Sequence, residues 1–163
     1  MSLYANASVL VVDDNDPTRR IVGALLTHLG FEDIHMADDG HAAVETLHRQ
    51  KIALVISDWN MCPMNGLELL RAVRAQFRLR ETRFILISGE ASAEHVIAAR
   101  EAGANGFILK PFTADGLKTK IADAFRNAGP RGSPETQTKP ASPDWALSAC
   151  DSERERFAFA RAR

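Results

Sequence analysis

Two hydrophobic patterns alternate along the first 128 residues. Ser8–Val12, Ala53–Ser57, Arg83–Ile87 and Gly106–Leu109 are short runs, apolar almost throughout, and they read as strands covered on both faces. Glu32–Ala37 is a weaker run of the same kind. Between these runs, apolar residues return at helical spacing. Thr18–Leu29 shows this through Ile21, Val22, Leu25, Leu26 and Leu29, Gly40–Gln50 through Ala43, Val44 and Leu47, and Leu67–Phe77 through Leu67, Leu70, Val73 and Phe77. Ala93–Ala102 and Ala114–Asn127 complete the helical set, and Gly30 suits the residue just past the end of the first helix.

Five strands and five helices in strict alternation, joined by short connections, predict right-handed crossovers and a five-stranded parallel sheet with helices on both faces. Roughly 120 residues suffice for one such three-layer α/β core of the doubly wound, flavodoxin-like class. No internal repeat, Gly-x-Gly-x-x-Gly or P-loop is present, which argues against the usual nucleotide folds.

Composition changes near Gly129. Pro130, Pro134, Pro140 and Pro143 fall within fourteen residues rich in Ser, Thr, Gln and Gly. The expected organisation is therefore a domain over residues 7–128 and a Pro/Ser-rich linker and tail over 129–163, disordered or partly helical over Pro143–Ala162. Residues 1–128 carry 14 basic and 16 acidic groups and the remainder 6 and 5, so neither part has the basic footprint of a nucleic-acid binder. No apolar run approaches the about 18 residues a membrane span needs, and the opening residues do not form a secretory signal. The cytoplasm is the expected compartment, without membrane association. Two cysteines, Cys62 and Cys150, are too few for a disulfide framework and do not form a C-x-x-C site.

Functional groups of an open parallel sheet gather beyond the carboxyl ends of its strands. Here those ends carry Asp13 and Asp14 after the first strand, Asp58 after the third, Ser88 and Gly89 after the fourth, and Lys110 after the fifth. Any one of them could be a helix cap or a solvated turn. Three carboxylates on one rim, however, destabilise one another unless a cation compensates them. Oxygen ligands of this kind suit a hard divalent cation, with Mg2+ the expected ion. Lys110 and Ser88 match the needs of a phosphoryl group. Asp58, at the end of a central strand, is the best candidate for a carboxylate nucleophile that forms an aspartyl phosphate.

The segments Val-Leu-Val-Val-Asp-Asp (9–14), Ser-Asp-Trp-Asn-Met (57–61) and Leu-Lys-Pro-Phe (109–112) resemble, in order and spacing, the receiver domains of bacterial two-component response regulators. The single-domain chemotaxis regulators of that family are the most similar, over roughly residues 7–128. The resemblance implies that Asp58 is the phosphoacceptor. It implies Mg2+ held by Asp13, Asp14, Asp58 and the backbone carbonyl of Asn60, with Asp13 acting largely through water. Lys110 would pair with the phosphoryl group, and backbone N–H groups of Trp59 and Gly89 would complete its cradle. Ser88 would be the switching hydroxyl, Phe107 the aromatic that reports on it, and Lys110-Pro111 a cis peptide. The implied partners are a histidine kinase or phosphotransfer protein upstream, and an output protein on the face of the fourth helix, fifth strand and fifth helix. Direct DNA binding is not expected.

Other readings exist for several of these residues. By type alone Phe107 is a core residue, Trp59 a half-exposed cover over the site, and Cys62 an incidental loop cysteine rather than a redox sensor. The five histidines have no metal-ligand spacing and read as surface residues. A phosphotransfer intermediate without its own output is the alternative function. A phosphohydrolase with an aspartate nucleophile needs a second aspartate two positions on, where this chain has Asn60. Self-phosphorylation and dephosphorylation with Mg2+, rather than a dedicated enzymatic activity, are therefore expected.

Overall fold

The computed structural model describes residues 4–90 and 92–127. The expectations for residues 129–163 lie outside them. Along the chain run β1 (Val9–Val12), α1 (Asp16–His28), β2 (Ile34–Ala37), α2 (Gly40–Arg49), β3 (Leu54–Asp58), α3 (Gly66–Ala75), β4 (Arg83–Ser88), α4 (Ala93–Glu101), β5 (Gly106–Leu109) and α5 (Ala114–Arg126). All strand pairs are parallel, in the order β2-β1-β3-β4-β5. This is the doubly wound, flavodoxin-like sheet expected from the alternating pattern. β1 and β3 lie inside the sheet, so both of their faces must be apolar.

Successive side chains of a strand point to opposite faces, and the core divides accordingly. Val9, Val11, Leu54, Ile56, Ile85, Ile87 and Ile108 pack with Val22 and Leu26 of α1 and Leu117, Ile121 and Ala124 of α5. Leu10, Val12, Val55, Phe84 and Leu86 pack with Ala43 and Leu47 of α2, Leu67, Leu70 and Val73 of α3, and Ala99 of α4. Helices thus cover both faces, and the polar rim lies where the strands emerge between them.

Side-chain caps fix the helix starts. Asn15 accepts from the Thr18 N–H at 3.0 Å, which begins α1 two residues before the predicted start, with Pro17 in its first turn. Asn65 and Glu68 form a reciprocal capping box at α3, through bonds of 2.8 and 2.9 Å. At the other end of α3, Gln76 turns to an extended conformation (φ −94°, ψ 121°), so the helix stops before Phe77. Phe77 was expected on its apolar face; instead it is 78% exposed, beneath the Arg80 guanidinium at 4.4 Å. Leu79 takes the buried position beyond it.

Arg74 ties α3 to two neighbouring loops. Its guanidinium donates to the Thr82 carbonyl at 2.7 Å, to the Gly103 carbonyl at 2.9 and 3.1 Å, and to Asn105 Oδ1 at 3.0 Å. Asn105 Oδ1 also accepts from the Phe84 N–H at 2.8 Å. The connection between α4 and β5 is thereby held by the neighbouring helix of the same layer.

Candidate functional site

Parallel pairing brings the carboxyl ends of β1, β3, β4 and β5 to one edge, with Asp58 level with Ile87 and Ser88 level with Leu109. Asp13 (4% exposed), Asp58 (7%) and Ser88 (0%) are the buried polar residues of that rim, and Asp14 is exposed. Each carboxylate of Asp13, Asp14 and Asp58 offers an oxygen within 4.8 Å of the others. Lys110 Nζ lies 2.7 Å from Asp58 Oδ1 and 3.5 Å from Asp13 Oδ2. The predicted residues Asp13, Asp14, Asp58 and Lys110 therefore converge.

Local bonds hold each group in place. Asp13 Oδ1 accepts from the Asn15 N–H at 2.9 Å, and the Asp13 carbonyl accepts from Arg19 at 2.6 Å. Arg19 is in turn paired with Asp16 at 2.9 Å. The Lys110 N–H donates to the Ser88 carbonyl at 2.7 Å, anchoring the start of its loop to β4. The Lys110-Pro111 peptide is cis, as the resemblance implied, and Cys62-Pro63 is cis as well.

Burial pushes the Asp58 carboxyl up from its ordinary value. The Asp13 and Asp14 charges add to that push, and the Lys110 ammonium opposes it. Burial pulls the Lys110 ammonium down, but the hydrogen bond and charge of Asp58, with Asp13 beside it, outweigh this and hold it above its ordinary value. One ammonium facing three carboxylates leaves excess negative charge. An all-oxygen donor set with that excess fits a hard divalent cation better than it fits a zinc-type ion.

The remaining predicted residues are placed less uniformly. The Ser88 hydroxyl is fully buried and engaged with the Glu90 backbone, accepting from its N–H at 3.1 Å and donating to its carbonyl at 3.4 Å. Gly89 and Asn60 are exposed on the rim, and a side chain at Gly89 would meet open space. The Trp59 N–H, expected in the cradle, is engaged within the sheet in this structure. That group donates to the Ile87 carbonyl at 2.7 Å, because the β3–β4 ladder continues one residue past Asp58. Trp59 is also not half-exposed; it is 7% exposed. Phe107 is half-buried against the core and meets Trp59 edge-on, at 6.3 Å between centroids and 70° between planes.

Three contributors escaped the sequence reading. His95 is not a surface histidine; its ring stacks on Trp59 at 4.3 Å and 18°. Arg19, which donates to the Asp13 carbonyl, carried no sequence signal of that role. Gly66 is the third, since its Cα lies so close to β3 that an added Cβ would stand 2.2 Å from the Asp58 carbonyl oxygen. The Gly66 N–H donates to the Trp59 carbonyl at 2.9 Å. Gly66→Ala is therefore expected to destabilise the fold by about 1–3 kcal/mol, since backbone rather than a flexible side chain must move. Urea denaturation measures this, and a loss under about 0.5 kcal/mol would show that the loop yields freely.

With this geometry in view, the comparisons with known proteins are consistent. The family model described as the response regulator receiver domain matches residues 9–122, and the chain belongs to that family. As a receiver domain it is a two-component signalling module rather than a dedicated enzyme. Receiver domains of this kind work with histidine kinases or phosphotransfer proteins and with downstream targets.

Among its relatives, the chain is 44% identical over 117 residues to the chemotaxis protein CheY of Pseudomonas aeruginosa, covering 72% of this chain and 94% of that one. It is 43% identical over 123 residues to the chemotaxis protein CheY-3 of Vibrio cholerae, covering 76% and 95%. Among solved structures, Vibrio cholerae CheY4 superimposes with a TM-score of 0.68 at 31% identity, over 72% of this chain and 98% of that one. A response regulator receiver protein from Pseudomonas putida gives 0.67 at 34% identity, over 74% and 98%. Among the described residues, no helix is long and apolar enough to cross a membrane.

Proposed function

We propose that this receiver domain is a phosphorylation-activated switch that accepts a phosphoryl group on Asp58 from a histidine kinase or phosphotransfer protein and then changes its affinity for a partner. The names of its relatives favour a chemotaxis pathway. The observation that carries the reading is a buried Asp58 carboxylate with an ammonium at 2.7 Å and two further carboxylates beside it. A purely structural ion pair needs no such excess of negative charge.

In the transfer, an Asp58 carboxylate oxygen attacks the phosphorus of the phosphohistidine. The phosphorus–nitrogen bond breaks, and its electron pair leaves with the imidazole nitrogen, which takes up a proton. Lys110 tracks the developing charge, moving from the bare carboxylates to a phosphoryl oxygen. Ser88 exchanges its bonds to the Glu90 backbone for one to the phosphoryl group, and the exposed Gly89 N–H supplies another donor. Mg2+, held by Asp13, Asp14, Asp58 and the Asn60 carbonyl, would offset the negative charge of the carboxylates and the incoming group.

The output face is α4, β5 and α5. A groove of about 640 Å³ there is lined by Val96, Arg100, Phe107 and Lys120, and Ile97 and Leu109 are 55% and 42% exposed. Phe107 lines this groove and also touches Trp59, which supports a link from the rim to the face. The test is labelling by acetyl phosphate or phosphoramidate. Mg2+ should permit it and a chelator should stop it; labelling that continues under chelation contradicts the reading.

Residues 7–128 are proposed as the functional domain. The sheet is complete at β5, and the family match ends at residue 122. Truncation after Ala128 is expected to keep cooperative thermal unfolding and phosphoryl labelling nearly unchanged. Non-cooperative melting of the shortened chain would place the boundary further on.

A further inference from the structure

His95 is the third residue of α4, where Ser92 Oγ caps its N–H at 3.4 Å. Its ring lies flat on Trp59, the residue after the proposed phosphoacceptor. Its Nδ1 is buried without a hydrogen-bond partner. The other attachments of α4 are small: Ala99 is its one fully buried residue, Ala98 and Ala102 pack half-buried on the core, and Val96 and Ile97 face outward. The contact of His95, the largest side chain that α4 sends inward near its start, with Trp59 carries two opposed contributions. Ring stacking on Trp59 holds the helix in, while a buried nitrogen deprived of water favours letting it out. Near balance of that kind gives a bistable element that a small change at the rim can tip.

We propose that His95 is a positioning residue that couples phosphorylation of Asp58 to the placement of α4, alongside the route through Ser88 and Phe107. This rests on Asp58 being the phosphoacceptor. The Trp59 N–H is bonded to Ile87, so its backbone is held, and a change at the phosphoryl site reaches the indole ring and the imidazole stacked on it. Displacing α4 returns Nδ1 to water, which lowers the resistance to motion of this helix. A phenylalanine at position 95 keeps the flat contact and removes the buried nitrogen, whereas alanine removes both. The two substitutions should shift α4 in opposite directions.

The experiment is hydrogen exchange of the full chain, with and without beryllofluoride and Mg2+, for wild type, His95→Ala and His95→Phe. In the bare protein His95→Ala should speed exchange across α4 by about fivefold or more, and His95→Phe should slow it. Both should lose most of the beryllofluoride-dependent difference in α4 while core amides of β3 and β4 stay protected. A merely structural role would shift the bare rates and leave that difference intact, and such a result overturns the proposal. If His95→Ala does not fold, His95→Phe decides alone by the same difference. Phosphoryl labelling is measured in parallel. Labelled wild type with no response in α4 overturns the coupling, whereas unlabelled wild type overturns the phosphoacceptor reading on which it rests.

Discussion

Asp58→Asn is expected to take no phosphoryl group from acetyl phosphate and, without metal, to unfold at a higher temperature than wild type. The carboxamide keeps the shape of the side chain but is a far poorer nucleophile toward phosphorus. The stability gain comes from the raised Asp58 carboxyl. The folded chain holds that proton more tightly than the unfolded chain does. This favours folding below the ordinary value of 3.8, and the advantage is lost as pH rises through the higher folded value. At neutral pH the buried charge is a net burden, which Asn removes, and Lys110 still has Asp13 at 3.5 Å. A rise of about 3–5 °C in the thermal midpoint at pH 7 with chelator is expected, shrinking as pH is lowered into the acid range. Equal midpoints at both pH values would mean that Lys110 fully neutralises the carboxylate.

Ser88→Ala and Lys110→Ala should accept the phosphoryl group and yet lose most of its effect on the output face. Ser88 is fully buried and its hydroxyl bonds the Glu90 backbone, so alanine fills nearly the same space while removing the group that must change partners. Lys110 provides the other directional contact. A charge-assisted hydrogen bond contributes about 1.5–3 kcal/mol, enough to shift a two-state population by about tenfold or more. Hydrogen exchange across β5 with and without beryllofluoride reads the loss before a partner is in hand, and affinity reads it afterwards. A full wild-type response in Ser88→Ala would return Phe107 to the role of an ordinary core residue.

The sheet could be read from the sequence because strands buried on both faces leave an unbroken apolar run, as at Val9–Val12 and Leu54–Ile56. The rim could be read because parallel strands all end on one edge. Asp13, Asp14, Asp58, Ser88 and Lys110 could therefore be collected from the residues at and just past the end of each strand.

Residues whose role depends on contacts across the sheet could not be read this way. Nothing local shows that Gly66 lies against the Asp58 carbonyl, or that the ladder captures the Trp59 N–H. His95 was misplaced because α4 has almost no amphipathic contrast, so periodicity could not say which side faces inward. Phe77 was misplaced for the opposite reason, since the apolar period of α3 runs on to Phe77, one residue past the point where Gln76 breaks the helix.

The most direct measurement is to map the acyl phosphate. Wild-type protein is treated with acetyl phosphate and Mg2+, reduced with borohydride so that the phosphorylated aspartate becomes homoserine, then digested and sequenced by mass spectrometry. The account predicts homoserine at position 58 and at no other acidic residue. Modification at Asp13 or Asp14 with Asp58 intact would contradict it.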